Sequence, residues 1–308
     1  MRHILSVSLG STTRDKIAHL TVLGEEFELE RRGTHGDLAL FEREMLANDG
    51  KVDVLCVGGT NLGLHWNGRY YPFVEIERIM RKVKHTPIAD GAGVKNTLER
   101  ETVRLLDEQG VIDFATAKIF MVCALDRFGM AEAIAARTKQ FVLGDLMMNL
   151  GAPLPVRTLR GMNLVAALIL PLFRRLPFKW LYPTGEKEDV ITPKYEKYYQ
   201  WADVIAGDFL LIRKHLPDDL TGKIVLTNTT NARDVEELRQ RGVRLLITAT
   251  PVVDGRSFGT NVLEGVFVSL LGKPPAEIKP EEYLELAHRM GWAPTIRDLT
   301  VAAPQESE

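Results

Sequence analysis

The stretch that decides the fold is KIFMVCALDRFGMAEAIAARTKQFVLGD, residues 118–145. It contains an apolar run at 118–124, an alanine-rich helical pattern at 130–138 and a second apolar run at 140–145. A strand, a helix and a second strand within about 30 residues make a βαβ unit, in which the two strands are parallel and the crossover is right-handed. We therefore predict a Rossmann-like unit in the middle of the chain.

The same alternation continues on both sides of this unit. We predict further strands near residues 4–9, 18–30, 52–57, 87–90, 203–207, 223–228 and 243–248. Asp37 has the position of a helix cap, a helix runs from Asn96 or Thr97 to Gln109, and another runs from about Asn261 to Leu271. Strands that alternate with helices predict an α/β protein with a largely parallel, doubly wound sheet.

The length of 308 residues favours about two domains. We predict an amino-terminal α/β lobe over residues 1–115, to which the helical region 261–300 returns. The second lobe, residues 116–260, is Rossmann-like and carries a helical insertion over residues 146–200.

The composition of the chain indicates which classes of function and which cellular compartment to expect. The net charge is −2, so no basic field attracts nucleic acid. Cys56 and Cys123 lie far apart in apolar runs, which predicts buried thiols in a reducing cytoplasm. The amino terminus has no apolar signal-peptide pattern, and no metal-ligand spacing occurs, so we expect a cytoplasmic protein without a metal.

The insertion holds an apolar and aromatic segment, residues 163–181, interrupted by Arg174 and Arg175. One interpretation is a helical hairpin that packs over the core. The other is a surface that contacts a membrane, because apolar and basic residues are interleaved. The partner that we expect is a small-molecule substrate. The sequence leaves open whether the protein forms a homodimer.

The turn at 124–129 matches half of a dinucleotide fingerprint. Of the three glycine positions, Ala124 and Asp126 occupy two and only Gly129 conforms, and Asp126 places a carboxylate on the path of a pyrophosphate. Asp145, 21 residues after Ala124, has the position of an acid that binds ribose hydroxyls. Either NAD or NADP binds here, or Asp126 simply caps a helix. The cofactor-binding candidates are Asp126, Arg127, Gly129, Asp145, Thr227, Asn228 and Thr250.

Two further loops carry polar groups at the start of predicted helices. Lys95 and Asp90 could orient and deprotonate a substrate hydroxyl, and they are the catalytic candidates. The alternative is a helix start with a capping carboxylate. A glycine-rich loop at 254–261 could seat an anion on backbone donors, or be an ordinary loop. The anion- or substrate-binding candidates are Asn96, Thr97, Arg256, Ser257, Gly259, Thr260 and Asn261.

Six motifs resemble a bacterial family labelled quinate 5-dehydrogenase. They are VSLGS (7–11), DGAGVKNTLE (90–99), FVLGDL (141–146), YPTGEK (182–187), ITPKYEKY (191–198) and DGRSFGTNV (254–262). The order of the lobes is similar to that of shikimate dehydrogenases. In that group an Asp follows an Asn-Thr pair, whereas Leu98 follows Asn96 and Thr97 here.

This resemblance implies an NAD(P)-dependent oxidoreductase that acts on a hydroxyl/carbonyl substrate of the quinate or shikimate type. The alternative is a Rossmann-like protein without dehydrogenase activity that binds an anionic or phosphorylated ligand at residues 256–261, with or without lipid contact. Whether the protein is an enzyme at all stays open at this point.

Overall fold

The chain forms two α/β units, which confirms the predicted fold class. The computed structural model describes residues 1–177, 191–250, 252–253, 256–257 and 259–300, with the backbone alone at 252–253 and 256–257. Each unit is assembled from three segments of the chain. Unit 1 comprises Met1–Thr97, Ala166–Glu188 and Val252–Trp292, and unit 2 comprises Leu98–Val165, Asp189–Pro251 and Ala293–Glu308.

Unit 1 is built on a five-stranded sheet. Its strands are β1 (Arg2–Ser8), β2 (Lys16–Val22), β3 (Glu25–Gly33), β4 (Val54–Gly58) and β7 (Ile88–Ala89). The order is β2-β3-β1-β4-β7, and all neighbours are parallel except β2 and β3. Two short hairpins accompany the sheet: β5 (Gly63–Trp66) with β6 (Arg69–Pro72), and β13 (Val252–Val253) with β14 (Arg256–Ser257).

The helices of unit 1 include α1 (Leu38–Asn48), α2 (Val74–Met80), the first six residues of α3 (Ala92–Glu108), α10 (Thr260–Leu271) and α11 (Pro280–Arg289). Asp37 caps α1 as predicted, since its carboxylate accepts the backbone N–H groups of Ala39 and Leu40. Helix α10 packs against β1, β4 and β7. Its Gly265 lies so close to Cys56 and Ile4 that a Cβ there would meet their side chains at 2.5 and 2.8 Å.

The single strand predicted near residues 18–30 is wrong, because the chain turns back within it. Leu23 and Gly24 both adopt left-handed backbone angles, with φ of 51° and 87°, and they join β2 to β3 as an antiparallel hairpin. Two consecutive residues with positive φ match the twist of a tight hairpin. The Leu-Gly pair is an uncommon sequence for such a turn, which is why the pattern reads as one strand.

Unit 2 is built on a six-stranded sheet. Its strands are β8 (Ile119–Met121), β9 (Phe141–Leu143), β10 (Val204–Ala206), β11 (Ile224–Thr227), β12 (Leu245–Thr248) and β15 (Thr295–Asp298). The order is β15-β12-β11-β10-β8-β9, and only the edge strand β15 is antiparallel to its neighbour. The predicted βαβ unit is confirmed: β8 and β9 are parallel, and α4 (Phe128–Ala135) connects them.

The remaining helices of the described residues are α5 (Asp145–Leu150), α6 (Leu159–Phe173), α7 (Glu196–Trp201), α8 (Phe209–Lys214) and α9 (Ala232–Gln240). The core of unit 2 centres on Phe120, which stacks on Tyr198 and meets Tyr199 edge-on. Burial of such aromatic rings supplies much of the stabilisation of a core. Cys56 and Cys123 are buried free thiols, as predicted.

The predicted lobe boundaries differ from the two units in three places. Helix α3 passes from unit 1 to unit 2 at Thr97, upstream of the expected boundary at 115. Residues 166–188, expected within the second lobe, belong to unit 1. The returning region 261–300 ends in unit 1 at Trp292, because β15 pairs with β12 of unit 2.

Helix α6 carries the apolar part of the insertion. Leu164, Leu168 and Leu172 on this helix are exposed, and Pro171 lies inside it. Among the described residues, no helix has the length and apolar character needed to cross a bilayer. Membrane-surface contact through residues 163–181 stays a prediction, as does a homodimer; residues 178–181 lie outside the described residues.

Candidate functional site

The candidate site lies at the carboxyl edge of the unit 2 sheet. Taken in chain order, its parallel strands have the spatial order 2-1-3-4-5, so the order reverses between β8 and β10. Ligands of open α/β sheets bind in the crevice at such a reversal, outside the carboxyl ends of the strands. The loops that flank this crevice are residues 122–127, after β8, and residues 207–208, after β10.

The carboxylate of Asp145 is hydrogen-bonded to the first of these loops. Its carboxylate accepts the backbone N–H of Ala124 at 2.9 and 3.0 Å and that of Leu125 at 2.9 Å. The side chain is buried, and burial raises the pKa of Asp145 to about 6 although these backbone N–H groups lower it. The predicted ribose-binding role of Asp145 is therefore wrong: the carboxylate holds the turn and does not face a ligand.

Arg127 is buried between two carboxylates of unit 2. Its guanidinium forms an ion pair with Glu99 and a second one with Asp208, with Nη2 2.7 Å from Asp208 Oδ2. Burial disfavours the charge on Arg127, but Glu99 and then Asp208 outweigh it and raise the pKa of Arg127 well above its ordinary value. A buried guanidinium that is paired with two carboxylates has little freedom to move, so Arg127 fixes the position of Asp208.

Asp208 and Asn228 form the accessible part of this network. Asp208 caps α8, where Oδ1 accepts the N–H of Leu210 at 2.9 Å, and Asn228 Nδ2 donates to Asp208 Oδ2 at 3.3 Å. The Asp208 side chain keeps 22% of its surface exposed. Asn228 Oδ1 accepts the N–H of Phe209 at 3.2 Å, which orients the amide. The two side chains therefore present fixed polar atoms at the crevice.

The hydroxyl groups beyond Asn228 continue the polar edge. Thr227 is fully buried, with Oγ1 2.8 Å from the carbonyl of Gly207 and 2.9 Å from Asn228 Oδ1. Thr229 donates to Thr250 at 3.1 Å between the Oγ1 atoms. The buried hydroxyl of Thr227 therefore holds the Asn228 amide in place. Thr229 is half-buried and lies next to Asn228 at the carboxyl end of β11.

The charge at this crevice is negative. Within the part of the chain that the structure describes, four carboxylates, on Glu99, Asp126, Asp145 and Asp208, interact with the guanidinium of Arg127 or with one another. The charge of Asp126 helps to raise the pKa of both Arg127 and Asp145, so it lies within electrostatic reach of both. A pyrophosphate at this turn would meet several negative charges, and the cation near it is already neutralised.

A second polar cluster lies in unit 1, after β7. Glu264 of α10 accepts the backbone N–H groups of Asp90, Gly91, Gly93 and Val94 at 2.7–3.3 Å and the hydroxyl of Tyr283 at 3.1 Å. Burial, followed by the charge of Asp90, raises the pKa of Glu264 to about 7. Glu264 caps α3, and this explains why α3 begins at Ala92 and not at Asn96 or Thr97 as predicted.

The catalytic candidates Asp90 and Lys95 lie near this cap. The Asp90 carboxylate accepts the N–H of Leu62 at 2.7 Å and of Ala92 at 3.0 Å. Lys95 is buried, and both residues act on His65, whose pKa is lowered by burial, raised by Asp90 and lowered by Lys95. His65 stacks on Tyr70 with ring centroids 4.6 Å apart. The structure thus brings the two candidates together, and a catalytic role for them stays a prediction.

The anion-binding candidates separate into two places. Asn96 and Thr97 lie within α3, where Thr97 is buried. Gly259 caps α10, Thr260 begins it, and Asn261 Nδ2 donates to Ser6 Oγ at 2.9 Å. Arg256 and Ser257 form β14, and their side chains lie outside the described residues. Seating of an anion by these residues stays a prediction.

Sequence reasoning missed Glu99, Asp208, Glu264 and Tyr283. Asp208 directly follows the apolar strand β10 and a glycine, a position at which a polar side chain reaches the carboxyl edge of a sheet. That signal was available. Glu264 sits inside an apolar helix pattern 171 residues from Gly93, and no local pattern indicates such a pairing.

The fold and this crevice define a two-unit α/β protein with a polar, negatively charged crevice in unit 2. The family model described as "Domain of unknown function (DUF8754)" matches residues 93–299, and the chain belongs to that family. A second model, "Domain of unknown function (DUF8753)", matches residues 3–90. No curated protein matches the sequence.

Solved structures with a similar fold include GanP, a glucose-galactose binding protein from Geobacillus stearothermophilus, at 9% identity. The alignment covers 98% of this chain and 99% of GanP, with a TM-score of 0.41. A sugar ABC transport substrate-binding protein from Bordetella parapertussis 12822 is 8% identical, with 99% and 92% coverage and a TM-score of 0.39. An ABC transporter periplasmic solute-binding protein from Actinobacillus succinogenes 130z, bound to D-allose, is 11% identical, with 97% and 98% coverage and a TM-score of 0.38.

These findings correct the predicted identity. The resemblance to quinate 5-dehydrogenases is wrong, since the family models that match the chain describe domains of unknown function. The predicted NAD(P)-dependent oxidoreductase and its NAD or NADP cofactor are wrong as well. The turn itself gives the physical reason: the Asp145 carboxylate is bound to backbone N–H groups of the turn, the charge of Arg127 is paired with Glu99 and Asp208, and Gly129 is buried in α4. The assignment of Thr227, Asn228 and Thr250 to a cofactor falls with it.

Proposed function

We propose that the chain is a binding protein for a small, neutral ligand rich in hydroxyl groups, received at the carboxyl edge of the unit 2 sheet. The observation that carries this proposal is the network of Arg127, Asp208 and Asn228 at the point where the strand order reverses. A fixed carboxylate and a fixed amide next to each other form a site for hydroxyl recognition. Asp208 Oδ1 accepts one bond from Leu210 and keeps a second lone pair for a hydroxyl donor, and the second N–H of Asn228 Nδ2 can donate to a hydroxyl oxygen.

The burial pattern of the network supports a role in ligand binding in addition to a role in the stability of the fold. Arg127 is buried and Asp208 is partly exposed, so the arginine positions the carboxylate and water or a ligand reaches its remaining lone pairs. Preorganised polar groups of this kind lose little entropy when the ligand arrives. A few polar groups converging at such an edge are typical of small-molecule sites.

The charge balance selects among ligands. The carboxylates of Glu99, Asp126, Asp145 and Asp208 exceed the single positive charge of Arg127, which disfavours phosphates, carboxylates and dinucleotides. A neutral polyol or sugar contributes hydroxyl donors to Asp208 and meets no repulsion. We therefore expect neutral monosaccharides to bind in preference to their phosphorylated forms.

A ligand titration tests the proposal. Purified full-length protein is titrated by calorimetry with neutral hexoses, pentoses and linear polyols, and in parallel with sugar phosphates and NADH. We expect saturable binding of at least one neutral compound and weaker or no binding of its phosphorylated form. Binding of sugar phosphates or NADH in preference to neutral compounds would contradict the proposal.

Two variants connect the binding to the network. Asp208→Asn keeps an acceptor for the cap of α8 but removes the charge, and loss of a charged hydrogen bond weakens binding by roughly 10- to 100-fold. Asn228→Ala removes the second recognition group. The matched control is Asp218→Asn, an exposed aspartate of unit 2 that pairs with Arg241. Unchanged affinity in Asp208→Asn, with the fold intact by circular dichroism, would place the ligand elsewhere.

A further inference from the structure

A third polar cluster lies on the sheet of unit 1, on strands β1, β2 and β3. His3 of β1 and Glu28 of β3 are direct neighbours in the parallel register, and His19 of β2 is opposite Glu28 in the antiparallel register. Glu30 follows two residues after Glu28, so it shares the same face of β3. Three adjacent strands therefore align two imidazoles and two carboxylates on one face.

The donor atoms are close enough to share one ion. His3 Nε2 lies 3.1 Å from Glu30 Oε2 and 3.5 Å from Glu28 Oε1, and the donor atoms of these three residues all lie within 4.8 Å of one another. A tetrahedral ion with ligand bonds of about 2.0–2.1 Å has ligand atoms separated by about 3.3–3.4 Å. The two separations from His3 are of that size and the third lies within 4.8 Å, so binding requires small side-chain shifts only.

His19 offers a fourth donor. Its Nδ1 atom is 3.9 Å from Glu28 Oε2, and its side chain is 62% exposed, so the ring can rotate toward the other three residues. The side chains of His3, Glu28 and Glu30 are each less than one-third exposed. An ion held by them would be reachable from solvent and partly shielded.

Arg32 orients one of the carboxylates. Arg32 Nε lies 2.6 Å from Glu30 Oε1 and Arg32 Nη1 lies 3.0 Å from Glu44 Oε2. Arg32 Nη2 also donates to Glu30 Oε2 at 3.1 Å, so the guanidinium fixes the plane of this carboxylate. Carboxylates that ligate metals are commonly held by such outer hydrogen bonds.

We propose that His3, Glu28 and Glu30, joined by His19, bind a divalent transition-metal ion of the zinc type. Mixed imidazole and carboxylate donors suit Zn²⁺, Co²⁺ or Fe²⁺, whereas Mg²⁺ and Ca²⁺ prefer oxygen donors alone. This assignment replaces the expectation of a protein without a metal. It is independent of the hydroxyl-rich ligand, because all four residues belong to unit 1 and the crevice belongs to unit 2.

Metal titration of the full chain, without an affinity tag and in metal-free buffer, tests the proposal. Zn²⁺ is followed by calorimetry, and Co²⁺ is followed by its visible absorption, which is intense only in tetrahedral sites. We expect one ion per chain, a tetrahedral Co²⁺ spectrum and little competition from Mg²⁺. Absence of saturable Zn²⁺ binding, or a weak octahedral Co²⁺ spectrum, would overturn it.

Ligand variants locate the ion. His3→Gln and Glu28→Gln should each weaken Zn²⁺ binding by at least about tenfold. Even the mutation of residues that hydrogen-bond to metal ligands lowers metal affinity by about that factor. His19→Ala should weaken binding and change the Co²⁺ spectrum. The control is His85→Gln, an exposed histidine of unit 1 outside the cluster. Wild-type affinity in His3→Gln, with an unchanged melting temperature of the metal-free protein, would refute this site.

Discussion

At the residue scale, the network of buried Arg127 with Glu99 and Asp208 shows that the type of a residue does not reveal its role. The sequence made Arg127 a candidate for binding a cofactor. Arg127 instead compensates two carboxylates that are 28 positions upstream and 81 positions downstream. A charge in the interior persists only when it is paired, so the pairing determines what Arg127 does.

Removing Arg127 should be costly. Arg127→Met leaves Glu99 and Asp208 without their cation, and breaking a buried ion pair by loss of one side destabilises by about 3–5 kcal/mol. The free energy of unfolding, measured with urea at pH 7.5, checks this. The double variant Arg127→Met/Glu99→Met should recover part of the loss.

The matched control for Arg127 is Arg81→Met. Arg81 is exposed and forms an ion pair with Glu77 at the end of α2, so its loss should cost less than about 1 kcal/mol. Equal losses in the two arginine variants would contradict the assignment of Arg127 as the centre of a buried network.

At the element scale, the start of α3 is determined by a carboxylate on another helix. Glu264 receives the backbone N–H groups of Gly91, Gly93 and Val94, and Asp90 receives that of Ala92, so the two carboxylates together bind the four N–H groups that a helix leaves unpaired at its start. Gly93 permits this approach, because a Cβ there would lie 2.6 Å from Glu264 Oε1 and 2.7 Å from the Tyr283 ring.

Gly93→Ala should therefore destabilise the protein. In an open helix the change stabilises by up to about 1 kcal/mol, but here the overpacking should reverse the sign and cost about 1–3 kcal/mol. Thermal unfolding of Gly93→Ala and of the control Gly161→Ala in α6 checks this. At Gly161 the nearest atoms are 3.2 Å away and belong to side chains, so the control should change little. A stabilised Gly93→Ala protein would contradict the close approach.

At the scale of the whole molecule, buried carboxylates couple stability to pH. Glu264 has a pKa of about 7 in the folded protein and 4.5 as its ordinary value, so the unfolded chain loses this proton first as pH rises. Between about pH 4.5 and 7 the folded state binds more protons at this group, and its contribution to stability falls with increasing pH. Asp145 acts in the same direction between 3.8 and about 6.

Glu264→Gln isolates this effect. The difference in unfolding free energy between wild type and Glu264→Gln should fall as pH rises from 4.5 to 7 and should then level off. His65 and His215 have lowered pKa values and oppose the trend in the wild type, but they cancel in this difference. Urea unfolding at intervals of half a pH unit gives the curve. A difference that is constant with pH would contradict the raised pKa of Glu264.

The sequence by itself determined the α/β class, the parallel βαβ unit at 118–145, the cap at Asp37 and the helix α10. These features depend on periodicity and on capping residues within a few positions of each other. The tertiary structure alone decided the hairpin at Leu23 and Gly24, the passage of α3 between the units and the use of Asp145, Arg127 and Glu264. Each of these depends on backbone and charged groups that meet across long stretches of sequence, and the cost of burying an unpaired charge decides how they pair.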